Sequence, residues 1–167
     1  MSSTISIRQA TPEDLNTVGF LAQQIWPETY RDILSAGQLS YMLTLFYSPA
    51  SLRKQMMEQG HMFLMAEEGE KPVGFASYSQ TSTPGLFKLH KIYVLPGQQG
   101  KGLGRALLDF IREDIRSRGA TRLQLNVNRH NPACRFYEKL GFRISGQEDI
   151  DIGATYFMND YIMELTW

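Results

Sequence analysis

Cysteine is nearly absent from this chain. Cys134 is the single one, so no intrachain disulfide can form, and a reducing, cytoplasmic setting is the default expectation. An excess of one charge is also missing: 17 basic and 17 acidic residues cancel. That leaves no electrostatic case for nucleic acid or an anionic membrane as partner. No apolar run is long enough to span a bilayer, and no basic-then-apolar leader is read at the N-terminus. Internal repeats and low-complexity tracts are lacking. His61, His90 and His130 stand singly, without carboxylates at ligand spacing, so no metal is expected.

What is present fits one globular domain over residues 1–167, with 43% apolar and 20% charged residues. Its organising stretch runs from Val94 through a glycine-rich turn to Leu108. Apolar positions Leu103, Leu107, Phe110, Ile111 and Ile115 then recur at helical spacing. Glycines at 100, 102 and 104 clear side chains from a place where a ligand can approach the backbone. The free N–H groups of the helix's first turn would face an anion there. This order of strand, glycine turn and helix predicts a phosphate cradle.

Two familiar cradles are excluded by single residues. A nucleotide P-loop needs Ser or Thr after its lysine, and Lys101 is followed by Gly102. A dinucleotide fingerprint needs a third glycine where Arg105 or Leu107 stands. What remains, Gln99-x-x-Gly102-x-Gly104, resembles the pyrophosphate motif of the Gcn5-related N-acetyltransferases (GNAT superfamily). A second segment strengthens the resemblance: Asn131-Pro-Ala-Cys-Arg-Phe-Tyr-Glu-Lys-Leu-Gly-Phe142 is similar to that superfamily's Asn…Ala…Phe-Tyr-x-Lys-x-Gly-Phe run. In physical terms Asn131 is a helix cap with Pro132 at the first turn, and Gly141 is the stop. The two motifs cover roughly Leu86 to Phe142.

The rest of the chain reads in order. Met1–Gln9 holds a first strand, and Thr11-Pro12 opens a helix that Pro27 is expected to stop near Trp26. A second helix is expected over Tyr30–Tyr47 and a third from Ser48-Pro49 to Gly60. Strands follow at His61–Glu67, Lys71–Tyr78 and Leu86–Val94, with a polar loop over Ser79–Gly85. After the long helix come a strand at Arg122–Val127, the Asn131 helix, and a pair at Arg143–Asp151 and Tyr156–Thr166 joined across Gly153. This predicts an α/β (α+β) fold, a mixed, mostly antiparallel twisted sheet of about seven strands flanked by helices. It is also the order that the GNAT (acyl-CoA N-acyltransferase) fold implies.

The resemblance implies acetyl-CoA as co-substrate and a set of residues around it. Backbone groups of Ile92, Tyr93 and Val94 would pair with the pantetheine arm, with the Val94 N–H as oxyanion donor. Amides over Gln99, Gly100, Lys101, Gly102, Leu103, Gly104 and Arg105 would hold the pyrophosphate, and the Lys101 and Arg105 side chains would add charge. Asn131 would bond the pantetheine, and Tyr137 would be the general acid facing the departing sulfur. The family's frequent base, a glutamate six residues ahead of the valine, is here Lys88, a departure that leaves the base open. His90, Glu28 and a chain of waters are the alternatives. Cys134 reads as a small buried thiol.

For the acceptor, the run Gly153–Glu164 resembles polyamine acetyltransferases related to the PaiA family. Glu148, Asp149, Asp151 and Asp160 would favour a cationic small-molecule amine, with Trp26, Tyr30, Tyr156 and Phe157 packing its chain. Two functions stand: an N-acetyltransferase acting on a small (poly)amine or a protein amine through a ternary complex, or an acyl-CoA-binding module without chemistry. A homodimer is what similar proteins suggest.

Overall fold

A computed structural model describes residues 4–167; Met1–Ser3 of the expected first strand lie outside the described residues. A seven-stranded sheet runs in the order β1-β2-β3-β4-β5-β7-β6. The strands are β1 (Ile5–Gln9), β2 (Met62–Glu68), β3 (Lys71–Gln80), β4 (Leu86–Val94), β5 (Arg122–Asn128), β6 (Arg143–Gly153) and β7 (Tyr156–Thr166). Every neighbouring pair is antiparallel except β4 and β5. Helices α1 (Leu15–Thr29), α2 (Ala36–Tyr47) and α3 (Pro49–Met57) cover one face, and α4 (Leu103–Ser117) and α5 (Ala133–Lys139) the other.

Both faces of the central strands are therefore dry, and β2 is buried continuously from Phe63 to Ala66. Phe63, Met65 and Phe75 pack beneath Val18, Ala22 and Ile25 of α1. Leu64, Ala76 and Leu125 pack beneath Leu107, Ile111 and Ile115 of α4. The apolar stripe read for α4 is the face it buries.

The expected helix boundaries shift in the first half. α1 runs through Pro27 to Thr29 instead of stopping at Trp26. Pro27 and Gln23, whose carbonyl loses its helical donor, are both exposed, so water can take the bond. Residues 30–34 form turns and α2 starts at Ala36, where the Ser35 side chain accepts from the Gln38 N–H at 3.1 Å. The β6–β7 turn places Ala154 and Thr155 at φ of 53° and 65°. This turn is docked on α2: Gln38 Nε2 donates to the Phe157 carbonyl at 2.7 Å, and the Tyr41 hydroxyl donates to the Ile152 carbonyl.

β4 carries a bulge. Ser77 pairs with Lys91 and Tyr78 with Leu89, so His90 is an extra residue without an opposite number on β3. The bulge changes which side chains face which layer. Leu89 packs in the α4 layer before it, and Ile92 and Val94 do so after it, while Tyr93 joins the α1 layer.

Candidate active site

The parallel β4–β5 pairing is short. It runs from Leu86–Arg122 to Leu89–Leu125 and then ends, although both strands continue. Beyond that point the strands part, and a cavity of about 1050 Å³ opens between them. The Leu95 N–H bonds the Val73 carbonyl on β3. Alternation along the strand then turns the N–H and C=O of Ile92 and Val94 toward the cleft. Tyr93 is the exception among the residues expected to offer backbone: its carbonyl lies against Gly74 on β3, and it contributes its side chain to the cleft instead.

At the head of the cleft lies the glycine turn. Gly102 sits at φ +77°, a left-handed conformation that suits glycine, and caps α4 without a side chain. No neighbouring atom lies within 4 Å of where a Cβ would stand at Gly100 or Gly102. Among the described residues, the N–H groups from Gln99 through Arg105 have no intramolecular acceptor. Leu103 is turned into the core, so its backbone alone faces the turn. Gly104 is needed for a different reason: a Cβ there would meet the Phe136 ring of α5 at 3.3 Å. A row of unpaired amides at a helix N-terminus, in open space, fits a diphosphate. Lys101 does not line the cavity: its ammonium bonds Gln98 Oε1 at 3.0 Å and pairs with Glu68 at 3.6 Å, while Arg105, exposed on the first turn, does line it.

Asn131 is buried and ends β5's outgoing turn. Its Oδ1 accepts from the Ala133 N–H at 2.9 Å, so it caps α5 as expected, although the helix proper begins after Pro132. Tyr137 is 7% exposed, packed against Phe136 and Phe142, and lines the cavity. Its hydroxyl makes no hydrogen bond within the described residues, and burial pushes its pKa well above the ordinary phenol value. It stays protonated. Also lining the cavity, Tyr30 and Tyr93 bond each other through their hydroxyls at 2.8 Å, with the Trp26 ring tilted against both.

His90 is held in a way the sequence did not announce. Its ring stacks on His61 at 3.8 Å, and Nε2 meets the Ser79 hydroxyl at 2.7 Å. Burial, then the neighbouring His61, Lys91 and Lys88, lower its pKa to about 3. A ring that weakly basic takes a proton from an ammonium poorly. Asp160 of β7 is the contrasting group: it lines the cavity, is 6% exposed, and burial raises its pKa. Glu28 also lines the cavity, from the exposed end of α1.

The acidic hairpin divides. Asp160 reaches the cavity, whereas Glu148, Asp149 and Asp151 lie on the exposed edge strand β6. There Asp149 pairs with Arg129 at 2.7 Å, and Asp151 accepts from the Gly153 N–H. Of the expected aromatics Trp26 and Tyr30 line the cavity; Tyr156 packs on Tyr41 at the hairpin tip and Phe157 is exposed. Cys134 and His130 are outside the cavity. Residues that sequence reasoning missed are Tyr47, Gln55, Lys91 and Asn126. Only Lys91 carried a signal, as a charge inside an apolar strand.

A sheet parted between two parallel strands, with an amide cradle at its mouth and a protonated phenol inside, defines an acyl-transfer fold built for a diphosphate-bearing donor. The family model for the acetyltransferase (GNAT) domain matches residues 30–159, and the chain belongs to that family. It is an acetyl-CoA-dependent N-acetyltransferase. It is similar to an uncharacterised N-acetyltransferase of Mycobacterium tuberculosis, 28% identical over 90% of this chain and 96% of that one. It is also similar to the spermidine N(1)-acetyltransferase of Thermoplasma acidophilum, 27% identical over 96% of each. Among solved structures, the PaiA N-acetyltransferase of Thermoplasma acidophilum in complex with coenzyme A superposes with a TM-score of 0.83. That pair is 27% identical, over 98% of this chain and 99% of that one. No helix among the described residues is long and apolar enough to cross a membrane.

Proposed function

We propose that this chain, acting as one domain, moves an acetyl group from acetyl-CoA directly to a primary amine of a small molecule while both are bound. The observation that carries this reading is the row of unpaired amides from Gln99 to Arg105 at the mouth of the parted strands. These amides hold the diphosphate, with Lys101 and Arg105 adding charge at the rim. Ile92 and Val94 offer their main-chain groups to the pantetheine arm, and Asn131 closes on it from α5. Bound acetyl-CoA supplies an activated thioester. The Val94 N–H, turned toward the cleft, would stabilise negative charge growing on an acyl oxygen held there. Tyr137 gives its proton to the departing sulfur; burial keeps the phenol protonated but also makes it a weaker acid, so the transfer is driven by the charge that builds on the sulfur.

The base moves from His90 to Asp160. Asp160 is a buried carboxylate whose proton affinity is raised by its surroundings, and it lines the acceptor half of the cavity. His90 keeps a positioning part through Ser79 and His61. A polyamine acceptor draws support from the similarity to the Thermoplasma acidophilum spermidine acetyltransferase, while Asp160 and Glu28 at the cavity wall suit the ammonium end of any amine acceptor. The enzyme works in the cytoplasm, and a homodimer is the assembly that similar proteins suggest.

Thiol release from acetyl-CoA across a panel of primary amines, paired with calorimetric titration of coenzyme A, tests the reading. Amine-dependent release with stoichiometric coenzyme A binding is expected. Binding of coenzyme A with no release on any amine would leave only the acyl-CoA-binding alternative.

A further inference from the structure

The acceptor half of the cavity holds a cation that nothing among the described residues neutralises. Lys91 is 8% exposed and lines the cavity from β4. Among the described residues its ammonium joins no salt bridge and no hydrogen bond; its one electrostatic contact is with the Tyr47 ring, 5.1 Å from the centroid. Burying an ammonium without a carboxylate is costly, and a methionine would pack the same stem without that cost. The same cavity holds unpaired polar atoms. Among the described residues, buried side-chain atoms without partners are Trp26 Nε1, Gln55 Oε1, His61 Nδ1, Ser77 Oγ and Asn126 Oδ1. All except Ser77 belong to residues that line this cavity, and Ser77 is the cross-strand partner of Lys91. Native interiors leave few such groups, so their concentration among the residues of one cavity marks a surface shaped for a polar ligand.

We infer that the acceptor is a small aminocarboxylic acid, whose carboxylate is bound by the Lys91 ammonium on the β4 wall of the acceptor half. This rests on the reading of the cavity as the acceptor site. The bulge at His90 is what brings Lys91 there: Lys91 and Tyr93 share the α1 side, roughly 7 Å apart along the strand. The side chain of Tyr93, bonded to Tyr30, stands near the level of Val94, where the acyl group is proposed to lie. An amine held at that level and a carboxylate held at Lys91 are a few bonds apart. The charge inventory agrees. Acidic Glu28 and Asp160 and basic Lys88 and Lys91 line this half, which matches a zwitterion better than a polycation. A phosphate dianion would meet Asp160 as well as Lys91, so a monoanionic carboxylate is the better counter-charge.

The test compares matched pairs: amino acids of two to six carbons against their own carboxamides, with putrescine and spermidine alongside. In the wild-type enzyme the acid should exceed its amide in kcat/KM by about a hundredfold or more, as expected for a site built to bond a group the analogue lacks. Calorimetry on the coenzyme A-loaded enzyme should show the same order of affinities without any chemistry. In Lys91→Met the acid-to-amide ratio should fall to within about threefold, with coenzyme A affinity unchanged and a melting temperature no lower than wild type. Equal use of acid and amide, a preference for the polyamines, or a ratio preserved in Lys91→Met would overturn the inference. A purely structural Lys91 would lower the melting temperature and leave the ratio alone. Failure of every amine to release thiol would instead strike the proposed transfer, and the calorimetric comparison of acid with amide would still decide the carboxylate site.

Discussion

The two halves of the cleft are made of different material. The half proposed to receive the coenzyme is walled by main chain: free amides from Gln99 to Arg105, and the inward N–H and C=O groups of Ile92 and Val94. The half proposed to receive the acceptor is walled by side chains drawn from α1, α2, α3, β4, β5 and β7. Main-chain groups look the same whatever residue carries them, so the first half demands glycines and a helix start and little else. The second half can change its chemistry one side chain at a time without disturbing the sheet. A common donor and a variable acceptor are what such a division suits.

Tyr137→Phe is the sharpest way to separate binding from chemistry, because the role proposed for the phenol is to give up a proton and not to hold the coenzyme. Loss of the phenol should lower kcat by about 10²–10³-fold, in the range for lost general-acid help. Packing against Phe136 and Phe142 survives the change, so coenzyme A affinity should hold. Steady-state rates and calorimetry read the two effects apart. A variant with wild-type turnover would take Tyr137 out of the mechanism.

Gly102→Val probes the main-chain half alone. At φ +77° a β-branched residue is strained, and relieving that strain re-aims the amides that follow. Strain of roughly 1–3 kcal/mol corresponds to a loss of about tenfold to a hundredfold in coenzyme A affinity. Acceptor preference among those molecules still acetylated should be unchanged. If preference shifts along with affinity, the two halves are not independent.

The same division explains what could be read in advance. Gln99-x-x-Gly102-x-Gly104 and the Asn131–Phe142 run were legible because main-chain recognition leaves a local pattern of glycines and caps. β4, β5 and β7 were legible because apolar residues recur at strand spacing between turn signals, as Leu123, Leu125 and Val127 do in β5. The bulge at His90 was not, since nothing in Leu-His-Lys-Ile says which residue lacks a partner, and Lys91 changed face with it. The hairpin acids misled for a related reason. Spacing shows that Glu148, Asp149, Asp151 and Asp160 are near one another in a hairpin. It does not show that β6 is the sheet's exposed edge while β7 lies inside, with only Asp160 turned to the cavity. Tyr47, Gln55 and Trp26 converge from separate helices, and no local pattern records that.

The smallest expected effect concerns pH, and it belongs to the side-chain half. His61 and His90 are stacked and held neutral, with pKa values lowered from 6.5 to about 4 and about 3, burial being the main cause for both. A depressed folded-state value means that the unfolded chain takes up protons first as pH falls. The stabilisation is therefore complete above about 6.5 and is lost progressively as pH drops toward 4. Asp14, lowered from 3.8 to about 2 chiefly by its hydrogen bonds from Arg8, works in a separate window, below 3.8. Melting temperature measured from pH 7.5 down to about 4.5 should decline, and the double variant His61→Phe, His90→Asn should flatten that decline. Phenylalanine keeps a ring for the stack, and asparagine keeps a partner for Ser79. A decline of the same slope in the double variant would place the sensitive groups elsewhere. Protection factors for amides across β2 and β4, corrected for the slower intrinsic exchange, should fall at pH 5, whereas α4, which carries no histidine, should hold its protection.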